Sequence, residues 1–158
     1  MRGAIVAVLL VPVLASSAAP AAGTRVIRGY GLRALAPTGW HTTAQILSDC
    51  ADPTQALAVT NVGGPISTSK PLAPKAGVLL VLQDGVNSPM AFRGRRPFRL
   101  PANAELMGGG CCDTPFGSGY GFNFREQGRD FDVFLYAADR RVAEQGLQIL
   151  NSLQVSAG

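Results

Sequence analysis

The chain is predicted to fold as an α+β domain, an antiparallel sheet with a C-terminal amphipathic helix packed across it. Three observations carry the prediction. Tyr120 to Tyr136 reads as a β-hairpin, Asp139 to Ser152 as a capped helix, and Gly77 to Gln83 as a strand covered on both faces. The hairpin is the most specific. With Gln127-Gly128 as a two-residue turn, Glu126 faces Arg129, Arg125 faces Asp130, Phe124 faces Phe131, Phe122 faces Val133 and Tyr120 faces Leu135. The apolar pairs then share one face, while Asn123 opposite Asp132 and Gly121 opposite Phe134 fall with the Arg125 and Asp130 pair on the other. A one-residue slip would set apolar against polar along most of the ladder, so hydrophobic pattern and charge select the same register.

The remaining elements follow in chain order. Thr24 to Leu35 reads as a strand that Gly29 and Gly31 weaken or bulge. Ala36 to Trp40 is a turn, entered through Pro37, in which Gly39 can take a positive φ. His41 to Leu47 is a short strand candidate, Gln55 to Val62 alternates as a strand, and the proline-bearing stretch from Gly63 to Ala76 is a connector. GVLLVLQ at Gly77 to Gln83 is apolar on consecutive positions, as a doubly covered strand requires. From Asp84 to Pro115 the pattern dissolves into Gly, Pro and Arg, with one extended candidate at Pro97 to Leu100. Asp139 caps the closing helix, whose stripe of Val142, Gly146, Ile149, Leu150 and Leu153 has three- and four-residue spacing; that stripe is expected to cover the aromatic face of the hairpin.

The N-terminus supplies an address. Arg2 precedes the apolar run Ala4 to Ala15, followed by small residues from Ala15 to Ala22 that suit signal peptidase, so residues 1–23 are read as a cleaved secretion signal and residues 24–158 as one secreted domain. The run is shorter than the roughly 20 residues of a spanning helix and contains Pro12, so no transmembrane segment is expected in the mature form. The region holds neither a lipoprotein cysteine nor a twin arginine.

Outside the cytoplasm, Cys50, Cys111 and Cys112 are disulfide candidates. Cys50 pairs most readily with Cys111 or Cys112, closing a long loop that stabilises by about 3–4 kcal/mol. A bond between the two neighbours is strained. Three free thiols are the remaining alternative, and which glycine-loop cysteine would join Cys50 stays open.

Composition excludes more than it assigns. The net charge is +4 and falls by one unit when Arg2 leaves, which is mild for a nucleic-acid-binding domain but favourable for an anionic cell surface. The one charge cluster is Phe92-Arg93-Gly94-Arg95-Arg96-Pro97-Phe98-Arg99, and Arg93, Arg95, Arg96 and Arg99 are its candidate binding residues, for anionic headgroups, envelope polymers or a protein partner. His41 is the only histidine, so any Ser-His or Cys-His hydrolase must use it, yet no motif places a partner beside it. Ser118 lies among glycines spaced unlike those of a nucleophile elbow. The cysteines lack zinc-ligand spacing, and Gly117, Gly119 and Gly121 match neither a dinucleotide nor a phosphate loop, so no catalytic residue, metal or cofactor is assigned.

The succession of Ala36-Pro37-Thr38-Gly39-Trp40-His41, the strand at Gly77 to Gln83, the hairpin tip Phe124 to Phe131 and the terminal Ile149-Leu150-Asn151-Ser152-Leu153-Gln154-Val155 resembles a group of small exported or envelope proteins of GC-rich bacteria that have no assigned activity. It covers most of the mature chain. More distantly, the order of elements is similar to PsbP-like domains, whose α+β sandwich implies protein interaction more often than catalysis. The resemblance offers no functional residues, and the paired cysteines are a feature of neither group. The reading is therefore a secreted or envelope-associated, non-enzymatic domain that acts by binding a protein or an anionic envelope component; the alternative is a secreted hydrolase using His41 with a serine or cysteine.

Overall fold

A computed structural model describes residues 23–44, 54–64, 66, 72–83, 92–106 and 117–157. The signal segment up to residue 22, Cys50, Cys111 and Cys112, and with them every disulfide alternative, lie outside the described residues. In chain order the elements are β1 (Thr24–Gly29), β2 (Leu32–Pro37), β3 (His41–Thr42), β4 (Thr54–Thr60), β5 (Gly77–Gln83), β6 (Glu105–Leu106), β7 (Ser118–Glu126), β8 (Arg129–Ala137), α1 (Arg140–Ser152) and β9 (Gln154–Val155). They form two antiparallel sheets, β1-β2-β9 and β3-β4-β5-β8-β7-β6, with α1 packed on β2, β5 and β8. The fold is α+β, as the pattern predicts.

The β7–β8 register contains all seven expected pairs, from Tyr120 with Leu135 to Glu126 with Arg129. Gln127 and Gly128 both have positive φ, 52° and 74°, the turn geometry whose twist matches that of the flanking strands. Strand β5 lies between β4 and β8, and its consecutive apolar residues serve two cores. Leu79 and Val81 join the core beneath the helix, while Val78, Leu80 and Leu82 pack on the reverse face with Ala58 and Tyr136.

The helix starts where expected. Asp139 is extended, with φ −148°, and its Oδ1 accepts a 2.9 Å hydrogen bond from the Val142 N–H. Gly146 lets the helix seat on β8, because a Cβ there would lie 2.3 Å from Leu135 Cδ1, a side chain that is itself fully buried. The helix covers less of the hairpin than its stripe suggests. It lies over β5, β8 and β2, whereas the aromatic end of the hairpin is covered by residues 92–100: Phe98 meets Phe122 edge-on at 5.3 Å and lies 5.6 Å from Phe124.

Thr24 to Leu35 departs from the single expected strand. It is a hairpin, in which β1 and β2 pair from Thr24 with Pro37 to Gly29 with Leu32. The turn is Tyr30-Gly31, with φ of 39° and 72°. Gly31 supplies the positive φ that the turn demands, while Gly29 permits close approach of the two sheets, a Cβ there lying 2.9 Å from the Ala56 carbonyl oxygen. Of the strand expected over His41 to Leu47, His41 and Thr42 form β3, opposite Thr60 and Val59, and residues 45–47 lie outside the described residues. Pro97 to Leu100 belongs to no strand; its neighbourhood joins the sheet through one parallel bridge, Gly94 with Arg125.

Candidate anion-binding face

Residues 92–100 cross one end of the molecule, between the β7–β8 turn and the C-terminus of α1. A helix leaves its last carbonyl oxygens without intrahelical partners and carries partial negative charge there. In α1 no basic residue lies in the last turn, and the cap residue Leu153 is extended beyond the helix at φ −59°, ψ 137°. The missing donor comes from Arg95, far away in sequence. Its guanidinium donates to the carbonyl oxygens of Leu150 (2.9 Å), Asn151 (3.1 Å) and Leu153, and pairs with Glu126 Oε2 at 2.9 Å. The same group lies 5.4 Å from the Phe124 ring centroid, Phe124 stacks on Phe131 at 4.9 Å, and Arg129 lies 5.0 Å from the Phe131 centroid on the ladder beyond.

Asn151 supplies a second clamp. Its side chain accepts from the Phe98 N–H (2.8 Å) and donates to the Phe98 carbonyl (3.1 Å), so it pairs with the segment as a strand would. A third is backbone to backbone, from the Arg125 N–H to the Arg93 carbonyl at 2.7 Å. With Arg95 and Phe98 turned inward, Arg93, Arg96 and Arg99 are exposed.

The four candidate arginines therefore divide into two kinds. The Arg95 side chain is 15% exposed and committed to Glu126 and the helix end, which removes it from the displayed set. Among the described residues, no carboxylate pairs with Arg93, Arg96 or Arg99. Of the three, Arg96 lines a cleft of about 640 Å³, together with Arg95, Pro97, Arg125, Glu126, Asn151 and Leu153. Both carboxylates near it are already engaged, Glu126 by Arg95 and Asp130 by Arg125 through a bidentate contact with Nε to Oδ1 at 2.6 Å. The hydrogen bond with Asp130, and then its charge, raise the Arg125 pKa above its ordinary value. The cleft rim is thus cationic and polar, suited to holding phosphate, carboxylate or sulfate oxygens.

His41 and Ser118 are apart, while the cysteines the hydrolase alternative could use lie outside the described residues. His41 begins β3 and Ser118 begins β7, and four strand spacings separate those strands, about 19 Å. The His41 Nδ1 instead lies 3.3 Å from the Gly39 carbonyl oxygen, so the ring is oriented by its own turn. Nor does His41 lie near the arginines. It belongs to the row of Thr60, Val78 and Tyr136, whereas Phe124 and Phe131 belong to that of Gln83, five residues or about 17 Å further along β5. Among the described residues, no group of three His, Cys, Asp or Glu side chains could hold a metal ion, and no helix is long and apolar enough to cross a membrane. Gly119 is explained by packing, since a Cβ there would lie 2.9 Å from the Leu135 carbonyl oxygen. Comparison of the chain with family models, curated proteins and solved structures found no match.

Proposed function

We propose that the protein is exported and acts as a non-enzymatic binding module, docking an anionic component of the cell envelope on Arg93, Arg96 and Arg99. The observation that carries this reading is what the anchored segment displays. Arg95, Phe98 and Asn151 hold the segment, so its three exposed guanidiniums are carried on an anchored backbone without any paired carboxylate among the described residues. The anchors also cap α1 and close the core, and it is the display of three exposed guanidiniums on the segment they hold that points to binding. The apolar N-terminal run followed by small residues supports export, and the resemblance to small envelope proteins of GC-rich bacteria points the same way. The mild net charge favours a local anionic contact over nucleic acid.

Two measurements test the reading. The intact mass of the protein recovered from the medium or envelope of a bacterial host is expected to lack about the first 18–23 residues, as signal cleavage demands; an uncleaved chain would overturn export. For binding, the mature protein is titrated with a polyphosphate chain at low and high salt. The triple variant R93Q/R96Q/R99Q is expected to bind about 30- to 100-fold more weakly and to lose most of the salt dependence. Its melting temperature should change little, because the altered side chains are exposed. Wild-type affinity in the triple variant would sink the assignment.

A further inference from the structure

The β1–β2 hairpin combines features that neither folding nor packing explains. Tyr30 occupies the first position of a turn at φ 39°, a left-handed conformation that disfavours an aromatic side chain and that Asn or Gly would adopt at less cost. Its ring gains nothing from burial, for Tyr30 is 80% exposed. Next to it, Arg28 and Arg33 stand directly opposite each other on the ladder and are both exposed, a like-charge pairing that costs stability. No acidic residue occurs in residues 24–37, so nothing within the hairpin offsets that charge.

The tip is nevertheless held firmly. Arg129 donates to the Tyr30 carbonyl at 2.9 Å while also binding Gln83, and the Ser156 N–H donates to the Gly31 carbonyl at 2.8 Å. A strained, exposed aromatic on a braced turn, flanked by opposed arginines, is a combination that becomes favourable only against a partner.

We infer that this tip is a membrane-contact site: Tyr30 enters the interfacial layer of an anionic bilayer while Arg28 and Arg33 engage its headgroups. Tyr30 is the one exposed large hydrophobic side chain among the described residues, and a soft interface accepts such a ring without a matching pocket, which favours a bilayer over a protein. The chemistry fits as well. Tyrosine has an apolar body and a polar end suited to the headgroup level, and each cationic residue near an anionic leaflet strengthens attachment about fivefold. The position also fits a flat occupant. Arg129 braces Tyr30 and pairs across the β7–β8 turn with Glu126, and Glu126 in turn holds Arg95, so the tip and the arginine segment lie at the same end of the molecule. The inference shares no residue with the Arg93, Arg96 and Arg99 face and does not depend on it.

The test is cosedimentation of the mature protein with vesicles of phosphatidylglycerol in phosphatidylcholine, against pure phosphatidylcholine. Tyr30→Asn is the informative variant because asparagine suits the turn. It should melt no lower than wild type while binding the anionic vesicles about five- to tenfold more weakly and polyphosphate equally well. R28Q/R33Q should weaken vesicle binding about 25-fold. Wild-type vesicle binding by Y30N, no vesicle binding by the wild type, or a tip that only captures a soluble acidic protein would each overturn the inference. If R93Q/R96Q/R99Q binds polyphosphate normally while Y30N loses vesicles, the arginine face fails and the membrane tip stands; the converse result separates them the other way.

Discussion

Replacing Trp40 by alanine is expected to lower the unfolding free energy by about 4 kcal/mol, read as a fall in the urea midpoint at unchanged slope. Trp40 is 1% exposed and sits where the chain passes from the small sheet to the large one. Its N–H closes the Pro37 turn at 3.1 Å, and its indole Nε1 reaches Gln145 Oε1 on α1 at 3.3 Å. The ring fills the space above Gly77, where a Cβ would lie 2.7 Å from Trp40 Cη2 and 2.5 Å from Val142 Cγ1. The truncated site therefore has a floor with no side chain to collapse into it, and the cavity term is added to the lost transfer energy. Trp40→Phe keeps most of the ring volume and should cost about half as much. A loss below about 1 kcal/mol for W40A would mean that the two sheets and the helix are not joined through this residue.

The parts legible in the sequence are those whose information is local. The β7–β8 register follows from seven adjacent pairs in which apolar period and charge agree, and α1 follows from Asp139 and a stripe at helical spacing. The β1–β2 hairpin is hidden because its turn breaks the local rule. Tyrosine is not a turn residue, and the tip is completed by Arg129 and Ser156, about a hundred positions or more away. Arg95 is hidden for another reason. Most of its partners are backbone carbonyls, which leave no mark in the residue string. The signal that could have pointed to it is an absence: α1 ends in Leu150-Asn151-Ser152-Leu153 with neither a basic residue nor a glycine, so the helix end needs a donor from elsewhere. Phe98 and Leu100, half-buried against the core, explain how part of the stretch between Asp84 and Pro115, which has no periodic pattern, closes that core.

Arg95→Ala joins stability to function, and it is expected to cost about 3 kcal/mol. The change strips three carbonyl oxygens of a charged donor, removes the cation above Phe124 and leaves Glu126 without its partner; the Glu126 side chain is 29% exposed, so water recovers part of the loss. Arg95→Lys should restore less than half, since one ammonium cannot span the helix end and the carboxylate as a planar fork does. Binding separates this residue from the displayed arginines. In R95A the Arg93, Arg96 and Arg99 charges remain but the backbone that carries them loses an anchor, so polyphosphate affinity should fall while the salt dependence stays near that of the wild type, measured well below the melting temperature. The triple variant R93Q/R96Q/R99Q should do the reverse, losing salt dependence at unchanged stability. An R95A protein as stable as the wild type, with its affinity intact, would show that neither the helix end nor the arginine face depends on this side chain.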